Sequence, residues 1–270
     1  MEPESPIRLL FRTWSSSSAG ANSRRGFLSG DQNRREIGLF EIAKIFENHS
    51  NLQNRIPTCF ISTTEDPIRA LKYAIDLAVQ GASGIHIAII RSNEYRCGKE
   101  VAAEVSRVLF GINESLYKTE FLFLFEIAPA DIIHVVSLDT LVGNGLLNKF
   151  KVLDPTTWVD EDEDNTPHQL PQLSEIRRQI HENNENAWRN ANEKTWPERS
   201  GRYVADIAKC FGASHRAIAS LIWEHGTHFT PANYEYDELD LRVRHAIQKS
   251  LDKNARSCWC DEWCGKLANM

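Results

Sequence analysis

Residues 59–66 read Cys-Phe-Ile-Ser-Thr-Thr-Glu-Asp. An apolar, β-prone run that ends in hydroxyls and then in carboxylates predicts a buried strand over Thr58–Thr63 whose far end reaches solvent. Helix-forming sequence follows from Pro67 to Gln80, where Ile68, Leu71, Ile75 and Val79 recur at three- and four-residue spacing on one face. Pro67 suits a first helical turn, with Asp66 at the capping position before it. Working outward, two further strands each bring one charged residue. Leu9-Leu-Phe-Arg-Thr carries Arg12, and Tyr117-Lys-Thr-Glu-Phe-Leu-Phe-Leu-Phe is entered through Glu120.

The rest of the first half continues this mixed pattern. Strands are expected over Ile7–Arg12, Ile85–Arg91, Phe121–Glu126 and Ile132–Leu138, all rich in Ile, Val and Phe. Helices are expected over Leu39–Phe46 and around Val101, Val105 and Val108. The Gly-, Ser-, Asn- and Arg-rich stretch from Ala19 to Asn33 reads as loop. Between Val159 and Pro171 the composition breaks at Asp160-Glu-Asp-Glu-Asp; like charges repel one another and favour a solvated, extended segment. Beyond it no strand is evident, and Leu173–Asn192, Arg202–Phe211, Ser214–Glu224 and Asp237–Lys253 read as helices. The expected organisation is an α+β domain over residues 1–158, an acidic linker over 159–171 and a small all-α domain over 172–270.

Composition bounds the class. The chain has 270 residues and a net charge of -6, with 41% hydrophobic and 25% charged residues, enough apolar material to bury a core. The acidic balance argues against a generally basic nucleic-acid coat. Six unevenly spread cysteines do not make a disulfide framework. Met-Glu-Pro-Glu-Ser-Pro at the start carries no secretory pattern, and no apolar run approaches the ~20 residues that cross a bilayer. The expectation is a protein of the cytoplasm or nucleus, away from membranes, with reduced thiols.

Taken singly, the polar residues on the strands are ordinary: Arg12 as a salt-bridged surface arginine, Ser62, Thr63 and Thr64 as turn and cap formers, Glu120 as the mark of a strand's surface boundary. Together they form a set. Phe11-Arg12-Thr13 is followed by Gly26-Phe27, then by Phe60-Ile-Ser-Thr-Thr with a helix behind it, and last by Glu120, with Ile127-Ala-Pro-Ala-Asp-Ile-Ile seven residues on. This set resembles the arginine-serine-glutamate branch of the ADP-ribosyltransferase family over roughly residues 7–140. It is also similar to an uncharacterised fungal domain that begins with a Leu-Phe-Arg segment.

The resemblance implies a fold of split, curved β-sheets that binds NAD in the cleft between them. It implies that Arg12 holds the NAD phosphates or the nicotinamide-side ribose. Ser62 would support that ribose and the catalytic glutamate, with Thr63 and Thr64 nearby, and Glu120 would be the catalytic carboxylate. Loss of nicotinamide leaves positive charge on the ribose anomeric carbon, and a carboxylate facing that charge stabilises the transition state more than the ground state. NAD would be the substrate, no metal would be needed, and ADP-ribose would pass to a protein or nucleic-acid acceptor or to water. Two positions depart from the family pattern. Lys118 stands where Gln or Glu usually helps choose the acceptor, which puts arginine modification in doubt, and Ser-Thr-Thr replaces Ser-Thr-Ser. Glu126, before the Ile-Ala-Pro turn, is the rival for the catalytic role. A chain that retains the fold without catalysis would be a binding module.

Two other segments bear chemistry-capable residues. Ala208, Gly212, Ser214 and Ile218 fall where a helix-turn-helix has its small packing residue, turn glycine, cap and buried aliphatic, and the segment resembles that motif. A reading helix would expose His215, Arg216 and Ser220 to nucleic acid or a partner; the alternative is a helical hairpin packing a core. Cys258, Cys260 and Cys264, with His228 or His245, could bind zinc, but C-x-C-x3-C is not a standard zinc spacing, so no metal site is assigned. Gly143-Asn-Gly145 reads as a turn.

Overall fold

The computed structural model describes residues 8–33, 37–51, 56–92, 100–101, 107, 117–158, 170–190, 195–212, 215–226 and 236–252. The chain is α+β, and its registered strand pairs are antiparallel. The expected acidic linker over 159–171 lies outside the described residues up to 169, as do Val105, Val108, Ser214, His228 and the Cys258–Cys264 cluster. Two compact units emerge, Met1–Asp66 with Gly81–Val135, and Pro67–Gln80 with Val136–Met270.

The first unit is built on a six-stranded sheet. Its order is β6 (Glu100–Val101), β7 (Glu120–Leu124), β4 (Phe60–Thr64), β1 (Arg8–Trp14), β5 (His86–Ser92) and β9 (Ile132–Ser137). A second sheet holds β2 (Ala21–Ser23), β3 (Gly26–Leu28) and β8 (Glu126–Ile127). Two expectations are corrected here. The stretch read as loop between Ala19 and Asn33 contains β2 and β3, strands only three residues long and too short for a period-2 signal to stand out among Gly and Ser. Val101, read as helical, lies in β6, paired with Phe121 of β7; sheet pairing overrides the local spacing of the valines.

Alternation along the strands sorts their side chains onto two faces. Leu10, Trp14, Ile61, Ala88, Ile90, Phe121 and Phe123 share one core cluster with Phe27 and Ile127 of the small sheet, so the two sheets pack face to face. The opposite face holds Phe60 and Leu122, covered by Phe46 of α1 (Leu39–Ser50). β1 pairs with β5 along its whole length, from Arg8 opposite Ser92 to Trp14 opposite His86. With β4 it is registered at one pair, Phe11 opposite Thr64. The large sheet is thus nearly parted between β1 and β4.

One residue carries the chain from the large sheet to the small one. Phe125, between β7 and β8, has φ 64°, a left-handed conformation that costs an L-residue roughly 1–2 kcal/mol. Its N–H donates to Cys59 O at 2.7 Å, its carbonyl accepts from Ser29 N at 2.7 Å, and its ring packs beside the Phe60 cluster. These contacts offset the strain and fix the switch of sheets.

The second unit is helical. It contains α2 (Pro67–Val79), α3 (Leu138–Gly143), α4 (Leu146–Lys149), α5 (Leu173–Asn190), α6 (Trp196–Lys209), α7 (His215–Gly226) and α8 (Tyr236–Asp252), with 3-10 turns at Lys151–Leu153 and Pro155–Trp158. No strand occurs among the described residues from 170 onward. Of the expected Gly143-Asn-Gly145 turn, Gly143 closes α3 and Asn144 and Gly145 make the turn, with Gly145 at φ 86°. Ala208 and Ile218 are fully buried and Gly212 sits at φ 74°, the packing and turning roles expected of them. Gly201 of α6 meets α8 so closely that a Cβ there would lie 2.6 Å from Ala246 Cβ. Asp76 of α2 accepts from Leu170 N at 3.1 Å and pairs with Lys72, tying the start of the C-terminal helices to α2. No helix among the described residues is long and apolar enough to cross a membrane.

Candidate functional site

The first unit brings most of the singled-out residues onto three neighbouring strands: Arg12 on β1, Ser62, Thr63 and Thr64 on β4, and Glu120 at the start of β7. Where β1 and β4 part, ladder hydrogen bonds give way to a side chain. Arg12 Nη1 donates to the Ser62 carbonyl at 3.0 Å. The other side of the guanidinium grips Asn22 Oδ1, from Nε at 3.2 Å and Nη2 at 2.7 Å, and its Cζ lies 5.3 Å from the Phe27 ring centroid. Asn22 is itself fixed, donating to Ala19 O at 2.9 Å. Arg12 therefore links the large sheet to the small one through charge-assisted bonds and a cation–π contact.

The alternation places the side chains on different faces. Arg12 follows Leu10 and Trp14 toward the small sheet, whereas Ser62, Thr64 and Glu120 share the face covered by α1. Glu120 is half-buried and stands opposite Thr64 in the β4–β7 ladder; its N–H donates to Tyr117 O at 2.8 Å. Thr63 is buried and donates to Phe121 O at 3.0 Å, a structural bond across the ladder. Thr64 is buried too, and its hydroxyl donates to Thr119 Oγ1 at 3.2 Å and accepts from Asp66 N at 3.1 Å. The two threonines hold strands in register, while Ser62 is the half-buried hydroxyl of the three. Lys118 is exposed in the turn before β7. Glu126, the rival carboxylate, is exposed on β8 of the small sheet, opposite Leu28.

A residue that sequence reading missed completes the group. His49, in the last turn of α1, places Nε2 2.6 Å from Ser62 Oγ and Nδ1 2.7 Å from Thr58 Oγ1. Its ring stands edge-on to Phe60, with centroids 5.6 Å apart. Burial, and secondarily the charge of Arg12, lower its pKa from 6.5 to about 4, so the imidazole is neutral at pH 7. No local spacing links His49 to Ser62. The signal available was a histidine ending an amphipathic helix, which alone is an ordinary helix-terminal residue.

In the second unit, the candidate reading helix is engaged by its own neighbour. Arg216 pairs with Asp252 of α8 at 2.6 Å, and Ser220 Oγ accepts from Arg244 Nη1 at 2.8 Å. Of His215 only the backbone, which opens α7, is described. Trp223 Nε1 donates to Asp240 Oδ1 at 2.7 Å, closing α7 onto α8 a turn further on. Two of the three residues expected to face nucleic acid thus bond to α8.

A large sheet nearly parted between β1 and β4 and bridged there by an arginine, with Ser62, Thr64 and Glu120 on the opposite face, defines an α+β domain with polar residues on both sides of the parting. Residues 5–141 match the family described as a domain of unknown function, DUF7587, and the chain belongs to that family. The match contains Arg12, His49, Ser62 and Glu120. No curated protein and no solved structure matches the chain.

Proposed function

We propose that the first unit binds NAD at the parting of β1 and β4 and cleaves its nicotinamide–ribose bond, passing ADP-ribose to a protein or nucleic-acid acceptor or to water. The observation that carries this reading is the Arg12–Ser62 bridge between β1 and β4, the second of which pairs with the strand that Glu120 enters. A guanidinium, a half-buried hydroxyl and a half-buried carboxylate are the donors and acceptors that a pyrophosphate and a ribose diol require. The parted strands suit the split sheets of an ADP-ribosyltransferase-like fold, and the resemblance gives Arg12, Ser62 and Glu120 their roles.

Glu120 supplies negative charge where the anomeric carbon becomes positive, and nicotinamide leaves as a neutral base without an acid. Lys118, exposed two residues earlier, gives the acceptor side a cation, which suits an acidic or phosphate-bearing acceptor better than an arginine.

A second reading rests on the bonds already made within the site. Arg12 is held by Asn22 and the Ser62 carbonyl, and Ser62 by His49. A site satisfied by its own residues suits a domain that keeps the fold for partner recognition.

Nicotinamide release from NAD separates the two readings. The enzyme reading expects release by the wild type, loss in Glu120→Gln and retention in Glu126→Gln. Release that survives Glu120→Gln but is lost in Glu126→Gln moves the catalytic role to β8. A wild type that neither binds NAD nor releases nicotinamide leaves the binding module.

A further inference from the structure

We propose that His49 is a positioning residue that fixes the Ser62 hydroxyl as a hydrogen-bond acceptor for a ribose hydroxyl of the bound nucleotide. The inference deepens the proposed function and rests on it for the ligand. The geometry is that of a three-member chain: Thr58 Oγ1, His49 Nδ1 and Nε2, and Ser62 Oγ, with links of 2.7 and 2.6 Å.

The direction of the chain follows from charge. A neutral imidazole has one N–H donor and one lone-pair acceptor, and either order would satisfy two hydroxyls. Arg12 breaks the tie. Its Nη1 donates to the carbonyl of Ser62, the residue bonded to Nε2, while Nδ1 points to Thr58, four positions earlier. The lone pair is the negative end of the ring dipole, so it sits at Nε2, toward the guanidinium. Nδ1–H then donates to Thr58, and Ser62 O–H donates to Nε2. With its proton committed, the Ser62 oxygen offers only lone pairs outward. It accepts from a sugar hydroxyl and does not donate to Glu120.

The same three side chains form the arrangement of an activated serine, a nucleophile beside a base that a third group orients. Two features weigh against that role. The third member is a neutral threonine, which cannot stabilise an imidazolium as a carboxylate does, and Arg12 opposes positive charge on the ring. A histidine that resists protonation is a poor base and a good director of a hydroxyl.

Two measurements on the full chain test this. The first is the ring ¹⁵N shifts of His49 at pH 7, assigned by their loss in His49→Gln. A lone-pair nitrogen at Nε2 that responds to Ser62→Ala is expected, and a protonated Nε2 overturns the proposal. The second is a double-mutant cycle in NAD affinity. His49→Leu and Ser62→Ala should each weaken NAD by about tenfold, the scale of one hydrogen bond. The double variant should be no weaker than either single one, and His49→Gln, whose amide oxygen can accept from Ser62, should restore most of the affinity. Additive losses, or no loss in His49→Leu, overturn the role. A wild type that does not bind NAD overturns the proposed function and the ligand half with it. The nitrogen shifts still decide the His49–Ser62 direction on their own, so the two failures are distinguishable.

Discussion

Phe11 faces Thr64 as the one registered pair between β1 and β4, and one residue on, Arg12 takes over from the backbone. Past that pair the Ser62 carbonyl receives Arg12 Nη1. The guanidinium thus replaces ladder bonds and also anchors the small sheet through Asn22. Removing it leaves a part-buried carbonyl and a part-buried amide without their charged donor. Arg12→Ala should lower the unfolding free energy by about 2 kcal/mol, within the range for bonds to charged groups. Arg12→Lys should recover less than half of this, because an ammonium cannot span both partners with a planar fork. Urea unfolding of the three proteins measures it; a lysine variant as stable as wild type would mean that the bidentate geometry carries no energy.

His49 makes stability depend on pH. Unfolded, the ring titrates at about 6.5; folded, burial and Arg12 hold it at about 4. The unfolded chain therefore takes up a proton that the folded one refuses. The contribution is fully present above pH 6.5 and is lost as pH falls toward 4. At about 1.4 kcal/mol per pH unit the difference amounts to roughly 3 kcal/mol. The wild type should lose that much more stability than His49→Gln between pH 7 and pH 4, read as the difference between their denaturation midpoints across the range. Parallel curves for the two proteins would show that the ring titrates normally in the folded state.

Much of this fold was legible from pattern. The strands around Arg12, Ser62 and Glu120 and the four late helices follow from apolar runs and three- or four-residue spacing, signals that live within a dozen residues. The partings and crossings were not legible. The loss of pairing after Phe11, the left-handed Phe125 that moves the chain between sheets, and the bond from His49 to Ser62 depend on residues far apart in the chain. The alternation that sets Arg12 on one face and Ser62 and Glu120 on the other was implicit in the strand periods. It needed the register, Phe11 opposite Thr64 and Thr64 opposite Glu120, to become a statement about the site.

In the helical unit, Arg216 and Ser220 are tied to α8, and their bonds lie at exposed positions. An exposed ion pair contributes little. Arg216→Ala should therefore change the thermal midpoint by less than about 2 °C, an effect of a few tenths of a kcal/mol. Retention on DNA-cellulose at low salt should be absent in both proteins. Retention that falls steeply with salt and drops in Arg216→Ala would instead restore the nucleic-acid reading of α7.

The tightest test of the helical packing is a pair of glycines. A Cβ at Gly201 would lie 2.6 Å from Ala246 Cβ and 2.7 Å from Ile247 N, closer than atoms can approach, and the second of these is backbone that cannot swing aside. A Cβ at Gly143, in the last position of α3, would meet nothing within 4 Å. Both glycines are helical, so on propensity alone each change to alanine should stabilise, by roughly 0.5–1 kcal/mol. At Gly143 that gain should appear. At Gly201 the overpacking cost of about 1–3 kcal/mol should exceed it, because α6 and α8 must move apart along the line where Val243, Ala246 and Ile247 are buried. Opposite signs for the two substitutions in one thermal-denaturation series are the expected result. A stabilised Gly201→Ala would mean that α6 and α8 cross at a greater distance than this structure has them.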